Sequence, residues 1–346
     1  MSSKKQILVL GAGGHGLTSL DCLFQNQNIN FRVYYNTTDW GGSYGLWGRL
    51  LEHKDNELNK QLHQKELPVL PFADPNKLIL YYWKKINPHD GDMINFRSNN
   101  YKEQIKIINK ITEKLDIDKE TNLEILAYVD KIWKYWHINK SSIKYKSMFC
   151  IAYPIHSFIF HKLKSIDNWN TFWHKKNILP KNLNLLFTNG QRNILVGKDI
   201  SLEEVSGENN VDIHKSPFLP ETMYLQDIAT SQESICSSRL IKDLQNADLV
   251  IIPNGSVANW IPIVNQKAVR DILQKKIVVW ITNPYRTKNE LINPNYYLFF
   301  RENGITPITL AQKNGIKNSE FLNILEQDKN GRYLSEQIST EILKWL

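Results

Sequence analysis

Ile7-Leu8-Val9-Leu10-Gly11-Ala12-Gly13-Gly14-His15-Gly16 is the stretch from which the rest of the chain is read. Four consecutive apolar residues without polar alternation fit a strand covered on both faces, as strands inside a parallel sheet are. The glycines after it permit a tight turn, and Leu17 to Phe24 is predicted to form the helix that returns across the sheet. Strand, glycine turn and helix in this order open a βαβ unit, and Gly11-x-Gly13-x-x-Gly16 has the spacing of the dinucleotide fingerprint. In that arrangement backbone amides at the helix N-terminus approach a phosphate with no side chain in between. Gly13, Gly14 and Gly16 are therefore predicted phosphate contacts, with His15 a loop residue beside the ligand rather than a base.

The pattern then repeats along the chain. Phe31 to Tyr35 reads as a second strand, followed by the polar loop Asn36-Thr37-Thr38-Asp39-Trp40-Gly41-Gly42-Ser43-Tyr44-Gly45 at the carboxyl edge of the sheet. Ala247 to Ser256 is again an apolar run ending in small residues, with a helix expected from there to Leu273, and Lys276 to Pro284 supplies a further strand. Strands alternating with helices predict a doubly wound, Rossmann-like α/β fold, with a mainly parallel sheet and helices on both faces. Lys102 to Leu115 is predicted helical, with Ile105, Ile108, Ile111 and Leu115 on the face that packs. Asn184 to Gly190 and Asn193 to Gly197 read as paired strands with a turn between them. The Lys- and aromatic-rich stretch from Trp133 to Tyr153 reads as a half-buried hairpin. One α/β domain over 1–346 is expected, with a helical, aromatic-rich insertion at about 85–150.

Composition narrows the ligand class. The 346 residues are 42% hydrophobic, and a net charge of +8 is spread through the sequence with no basic tail or stripe. An anionic small molecule suits that balance, and no nucleic-acid-binding signature accompanies the aromatics. Cys22, Cys150 and Cys236 are too far apart for a disulfide framework or a metal knuckle, which points to a reducing, cytoplasmic setting. The apolar run at the N-terminus is too short for a signal-peptide core or a membrane span, so no membrane association is expected.

The loop Asn36 to Gly45 adds chemistry to the first glycine turn. Two glycine loops on neighbouring strands converge their amides on one pocket, and Asp39 is the only carboxylate there. A carboxylate facing phosphates is explained by a Mg²⁺ ion between them, since that ion takes oxygen ligands; the alternative is an Asp that caps the next helix. An NAD site is disfavoured because Tyr35-Asn36 stands where the ribose-binding acid of the fingerprint belongs.

These pieces together resemble the family that unites 2-phospho-L-lactate transferase with the gluconeogenesis-factor proteins that bind UDP-sugars. Its members open Gly-Gly-Gly-Thr-Gly-Leu, against Ala12-Gly13-Gly14-His15-Gly16-Leu17 here. Their Asn-Thr-Ala-Asp-Asp-Gly-Gly-Ser-Ser-Gly loop is followed by Asn36 to Gly45 except at Thr38, Trp40 and Tyr44. His156-Ser157 is similar to the family's Gly-His-Ser-x-Gly-Asn, Gly207-Glu208 to its Gly-Glu, and Ala247 to Ser256 to its Ala-Asp-Leu-Ile-x-x-Gly-Pro-Gly-Ser. Asn283 matches an Asn after a late strand. The resemblance implies ligand contacts at Asn36, Gly41, Gly42, Ser43, His156, Ser157, Asn254, Gly255, Ser256 and Asn283. It implies catalytic roles for Asp39 and Asp74, the latter through Phe72-Ala73-Asp74 standing for the family's Pro-Gly-Asp. It further implies a nucleoside diphosphate or nucleotide-sugar ligand and transfer of a phosphoester group to a small-molecule acceptor, and it is compatible with a homodimer. The chain departs from the family at Trp40, at Ile159-Phe160 in place of Gly-Asn, and at Asn254 in place of proline. A UDP-sugar-binding protein without turnover is therefore the rival reading. Trp40 and Phe160 either stack on the ligand or pack inward.

Overall fold

The computed structural model describes residues 4–11, 14–36, 73–86, 100–139, 152–189, 193–227, 230–283, 295–312, 323–326 and 332–346. In chain order the first elements are β1 (Lys5–Leu10), α1 (Gly14–Thr18), α2 (Asp21–Phe24), β2 (Ile29–Tyr35), α3 (Ala73–Ile86), α4 (Tyr101–Lys114), α5 (Lys119–Asn139), α6 (Ala152–Leu163) and α7 (Ile166–Lys175). There follow β3 (Leu183–Phe187), β4 (Asn193–Lys198), β5 (Glu204–Ser206), α8 (Glu208–Ile213), β6 (Tyr224–Asp227), α9 (Ser238–Asn246) and β7 (Leu249–Ile252). The last are α10 (Ile261–Val264), α11 (Lys267–Leu273), β8 (Val278–Ile281), α12 (Asn295–Glu302), β9 (Ile308–Gln312), β10 (Asn323–Leu325) and α13 (Ser335–Leu343). The chain divides into two compact units, one of Met1–Asp39 with Pro180–Leu346 and one of Trp40–Leu179.

The first unit holds the predicted doubly wound α/β fold. Among the described residues, seven strands form its main sheet in the order β10-β9-β8-β7-β1-β2-β3, and every neighbouring pair is parallel. Ile7 to Leu10 and Leu249 to Ile252 are all at most 1% exposed, so these central strands are covered on both faces, as their unbroken apolar runs require. From β1 the chain steps outward to β2 and β3, whereas from β7 it steps the other way to β8, β9 and β10. With right-handed crossovers this reversal places the helices of the two halves on opposite faces. Consistent with that, α13 packs on α2, while α9 packs on α11 and β1. The reversal lies between β1 and β7, and in open α/β sheets ligands bind at the carboxyl ends of the strands at that point.

Three local expectations are corrected in this unit. The helix expected over Leu17 to Phe24 is broken between α1 and α2, where the Ser19 hydroxyl bonds back to the Gly16 carbonyl at 2.6 Å. The expected pairing of 184–190 with 193–197 does not form. β3 instead extends the main sheet beside β2, with Phe31 opposite Leu183 and Tyr35 opposite Phe187, and β4 pairs antiparallel with β5 and β6 in a separate three-stranded sheet. The apolar Leu183 to Phe187 run is served better by a covered position, and the Asn182 amide pins its start by donating to the Asn26 and Ile29 carbonyls, both at 2.9 Å. Finally, the helix expected to reach Leu273 is a 3₁₀ turn (Val257–Asn259) followed by α10 and α11. Pro262 sits in the first turn of α10, and the Asn265 side chain beyond it is drawn away to the Pro220 and Met223 carbonyls at 2.7 and 2.8 Å.

The second unit is helical throughout its described residues, and the segment 85–150 falls within it. In α4 the predicted face holds, with Ile108, Ile111 and Leu115 buried and Ile105 half-buried. Of the hairpin expected over Trp133 to Tyr153, the described ends are helical instead: α5 runs on to Asn139 and α6 begins at Ala152, and the rest of it, residues 140–151, lies outside the described set. Asp118 starts α5 by accepting from the Thr121 amide at 2.8 Å, and no glycine or proline between Lys119 and Asn139 stops it. Trp169 and Trp173, edge to face at 5.8 Å, are buried in α7. Among the described residues no helix is long and apolar enough to cross a membrane.

Candidate functional site

The carboxyl edge of β1 and β7 is built by backbones in direct contact. Gly11 takes a left-handed φ of +71°, and a Cβ on it would stand 2.6 Å from both the Asn259 carbonyl oxygen and the Trp260 Cβ. Its amide donates to the Tyr34 carbonyl at 3.1 Å, so the same residue also touches the end of β2. Trp260 cannot retreat easily, because its ring is stacked on Phe300 at 4.7 Å and lies 6.0 Å from Trp280. Gly16 is tighter still: a Cβ there would lie 2.0 Å from the Asn254 carbonyl oxygen. The first and last glycines of the fingerprint thus admit the loop that follows β7, and any side chain at either would push that loop off the sheet edge.

Polar side chains lock the same junction. The Ser19 hydroxyl lies 2.6 Å from the Gly16 carbonyl and 2.7 Å from the Asn254 side chain. Its single proton lies between two acceptors, the Gly16 carbonyl and Asn254 Oδ1, so the hydroxyl ties the buried Asn254 side chain to the first turn of α1. Asn36, 6% exposed at the end of β2, donates to the Asn259 carbonyl at 2.6 Å. Thr188, just past β3, lies 3.5 Å from the other end of the same side chain. Asn36 and Asn254, both predicted ligand contacts, therefore have their side chains committed to the frame.

Of the loop after β7, Gly255 and Ser256 are the half-exposed members, between the buried Asn254 and Val257. Ser256 also caps the following 3₁₀ turn, accepting from the Ala258 amide at 3.2 Å. Just past the neighbouring strand β8, Asn283 is half-exposed, while Thr282 before it is buried and lies 3.2 Å from the Tyr333 hydroxyl. Gly14 and His15 open α1. The structure thus brings Gly14, His15, Gly16, Asn36, Asn254, Gly255, Ser256 and Asn283 to one edge of one sheet, at the ends of four adjacent strands. Gly13, Asp39, Gly41, Gly42 and Ser43 lie outside the described residues. Asp74 is on α3, and His156 and Ser157 are on α6, two helices of the second unit that pack on each other. There Ile159, in place of a family glycine, is buried, and Phe160 is half-buried.

Other polar features sit away from this edge. A polar cavity of about 260 Å³ is lined by Gln6, Asn30, Arg32, Asp243 and Asn246, at the first halves of β1 and β2. Arg32 pairs with the buried Asp243, which also accepts from the Tyr34 hydroxyl at 2.6 Å. This buried carboxylate is satisfied by its partners and anchors α9 to β2. Sequence reasoning missed a third cluster, Asp199, Glu203 and His214. Its only sequence signal is an Asp and a Glu four apart with a His further on, a pattern too common to single out.

No family model matches the sequence, and no curated protein is detectably similar to it. Among solved structures, a crystal structure of protein BH3568 from Bacillus halodurans matches at a TM-score of 0.62 and 14% identity, covering 98% of this chain and 99% of that one. A second, described as a member of the UPF0052 family, matches at 0.62 and 13%, covering 99% and 100%. At such identities the likeness is one of fold, and it runs the length of both chains. This chain has the Rossmann-like α/β fold of a UPF0052 family protein.

Proposed function

We propose that the protein binds a nucleoside diphosphate or nucleotide-sugar at the carboxyl edge of β1 and β7, and transfers a phosphoester group from such a donor to a small-molecule acceptor, as 2-phospho-L-lactate transferase does. The observation that carries this reading is the convergence of the Gly11 to Gly16 turn and the Asn254 to Ser256 loop at the point where the strand order reverses. Such a junction presents backbone amides to an anion. The fold shared with a UPF0052 protein supports it, as does the resemblance of the loops to the phospholactate transferase family.

Roles divide according to what each residue already touches. Gly11, Gly16, Asn36 and Asn254 hold the two loops together. Gly13, Gly14 and His15 then face the phosphates from one loop, Gly255 and Ser256 close from the other, and Asn283 reaches the base or the acceptor. In phosphoryl transfer the acceptor oxygen bonds to phosphorus as the bond to the leaving nucleotide breaks, and the protein contributes chiefly by positioning and by neutralising charge. Mg²⁺ at Asp39, which lies outside the described residues, would supply part of that neutralisation.

A second reading has its own support. The Gly-Asn expected after His156-Ser157 is Ile159-Phe160, with Ile159 buried, so polar groups of the family's site are missing. On that reading the protein binds a nucleotide-sugar and releases it unchanged. The NAD alternative is weakened because Asn36, standing where the ribose-binding acid belongs, is tied to Asn259. A thermal-shift screen of UDP-sugars, GDP and NAD with and without Mg²⁺ tests the proposal, because a ligand of the native state raises the unfolding temperature by mass action. Stabilisation by a diphosphate nucleotide followed by its turnover is expected, stabilisation without turnover selects the second reading, and stabilisation by NAD alone overturns both.

A further inference from the structure

The turn from β4 to β5 carries a group of side chains that the proposed nucleotide site does not use. Asp199 begins the turn with its side chain 2% exposed. Its Oδ1 accepts from the Ser201 and Glu203 amides at 2.8 and 3.0 Å. Its Oδ2 faces His214 Nε2 at 3.1 Å, and His214, which follows α8, has its ring against buried Phe218 with centroids 5.1 Å apart. The exposed Glu203 brings a carboxylate oxygen to the same place, so that one ligand atom from each of Asp199, Glu203 and His214 lies within 4.8 Å of the others.

We propose that Asp199, Glu203 and His214 form a binding site for one divalent transition-metal ion of the zinc class, which ties the β4–β5 turn to the end of α8. Ser216 also bonds to the Asp199 carboxylate, and the exposed Glu203 adds a second acid beside this buried one, within 4.8 Å of it and of His214. A divalent cation with neutral imidazole balances both acids. Ligand atoms about 2.0–2.2 Å from one ion stand roughly 3.3–3.6 Å apart at the tetrahedral angle. The Asp199–His214 pair is already close to that separation at 3.1 Å, and the exposed Glu203 offers a third ligand oxygen within 4.8 Å of both. The nitrogen ligand favours zinc-class ions over Mg²⁺ and Ca²⁺, which prefer oxygen alone. Three protein ligands leave the fourth position to water.

The test is titration of the full-length, chelator-stripped protein with Zn²⁺ in the presence of millimolar Mg²⁺, and with Co²⁺ as a spectroscopic probe. One Zn²⁺ per chain is expected, with visible Co²⁺ bands typical of a low-coordinate nitrogen and oxygen site. Glu203→Gln, an exposed substitution that does not threaten folding, should weaken binding by roughly tenfold or more, the least that the loss of even a supporting partner costs a metal site. His214→Ala should abolish binding. Wild-type Zn²⁺ affinity in Glu203→Gln would overturn the proposal whether or not His214→Ala folds, because Glu203 would then not be a ligand. Absence of stoichiometric Zn²⁺ binding to the wild type would overturn it too, leaving an Asp–His ion pair.

Discussion

Replacing Gly16 with alanine tests whether this glycine serves the frame of the sheet edge rather than the ligand. The added methyl would stand 2.0 Å from the Asn254 carbonyl oxygen, well under the 3.0 Å that real Cβ contacts respect. The obstacle is backbone, so the loop after β7 must move by about an ångström. Overpacking of this kind costs ~1–3 kcal/mol. Moving the loop also strains the bond between Ser19 and Asn254, worth about 1 kcal/mol. Together these give a loss of ~2–4 kcal/mol, or very roughly 4–16 °C in the unfolding temperature at about 2–4 °C per kcal/mol. Calorimetry without ligand reads this directly. An unfolding temperature within about 1 °C of wild type, where about 4 °C or more is expected, would refute the close packing of the two loops.

Further outcomes follow from other residues. Asp39→Asn should fold normally and lose the Mg²⁺-dependent part of nucleotide affinity, compared by titration in Mg²⁺ and in EDTA; as a mere helix cap, Asp39 would be replaced by Asn almost without effect. Burial pushes the Cys236 thiol up to about 12, so native protein should resist iodoacetamide there at pH 8 and react only when unfolded, as read by mass spectrometry. Hydrogen bonds from Thr121, with a smaller contribution from the charge of Lys162, hold the exposed Asp118 carboxyl below its ordinary 3.8. Its cap on α5 is therefore fully present above that value and lost as pH falls through the lower, folded one. Asp118→Asn, which caps as well without titrating, should remove this contribution from the acid limb of the helical circular dichroism signal.

What could be read in the sequence depended on the range of the interactions involved. The apolar runs Ile7 to Leu10 and Leu249 to Ile252 announce covered parallel strands by themselves, because burial on both faces leaves no polar position. The winding of the sheet followed from their alternation with helices. The pairing of 184–190 with 193–197 misled because a nearby turn signal says nothing about an empty place beside β2, which is where Leu183 to Phe187 went. The glycine turn was recognised, but the part Gly16 plays was not. Its reason is a carbonyl at Asn254, and the Ser19–Asn254 contact at the same junction spans 235 positions of sequence. The same holds for Asn36, where the resemblance implies a ligand contact while its side-chain amide donates to the Asn259 carbonyl. Asp199 and His214 are only 15 positions apart, but a turn and a helix bring them together, and neither leaves a mark in periodicity.

The central claim is that a phosphate-bearing nucleotide rests on the turn between β1 and α1, against the loop after β7. Calorimetric titration of wild type and Gly14→Val with UDP-sugars and GDP in Mg²⁺ tests it most directly, alongside an unfolding measurement on each protein. A valine at the first residue of α1 should abolish binding of the nucleotide that wild type binds, while the variant still unfolds cooperatively. Unchanged affinity in a folded Gly14→Val variant would contradict the placement of the phosphates on this turn.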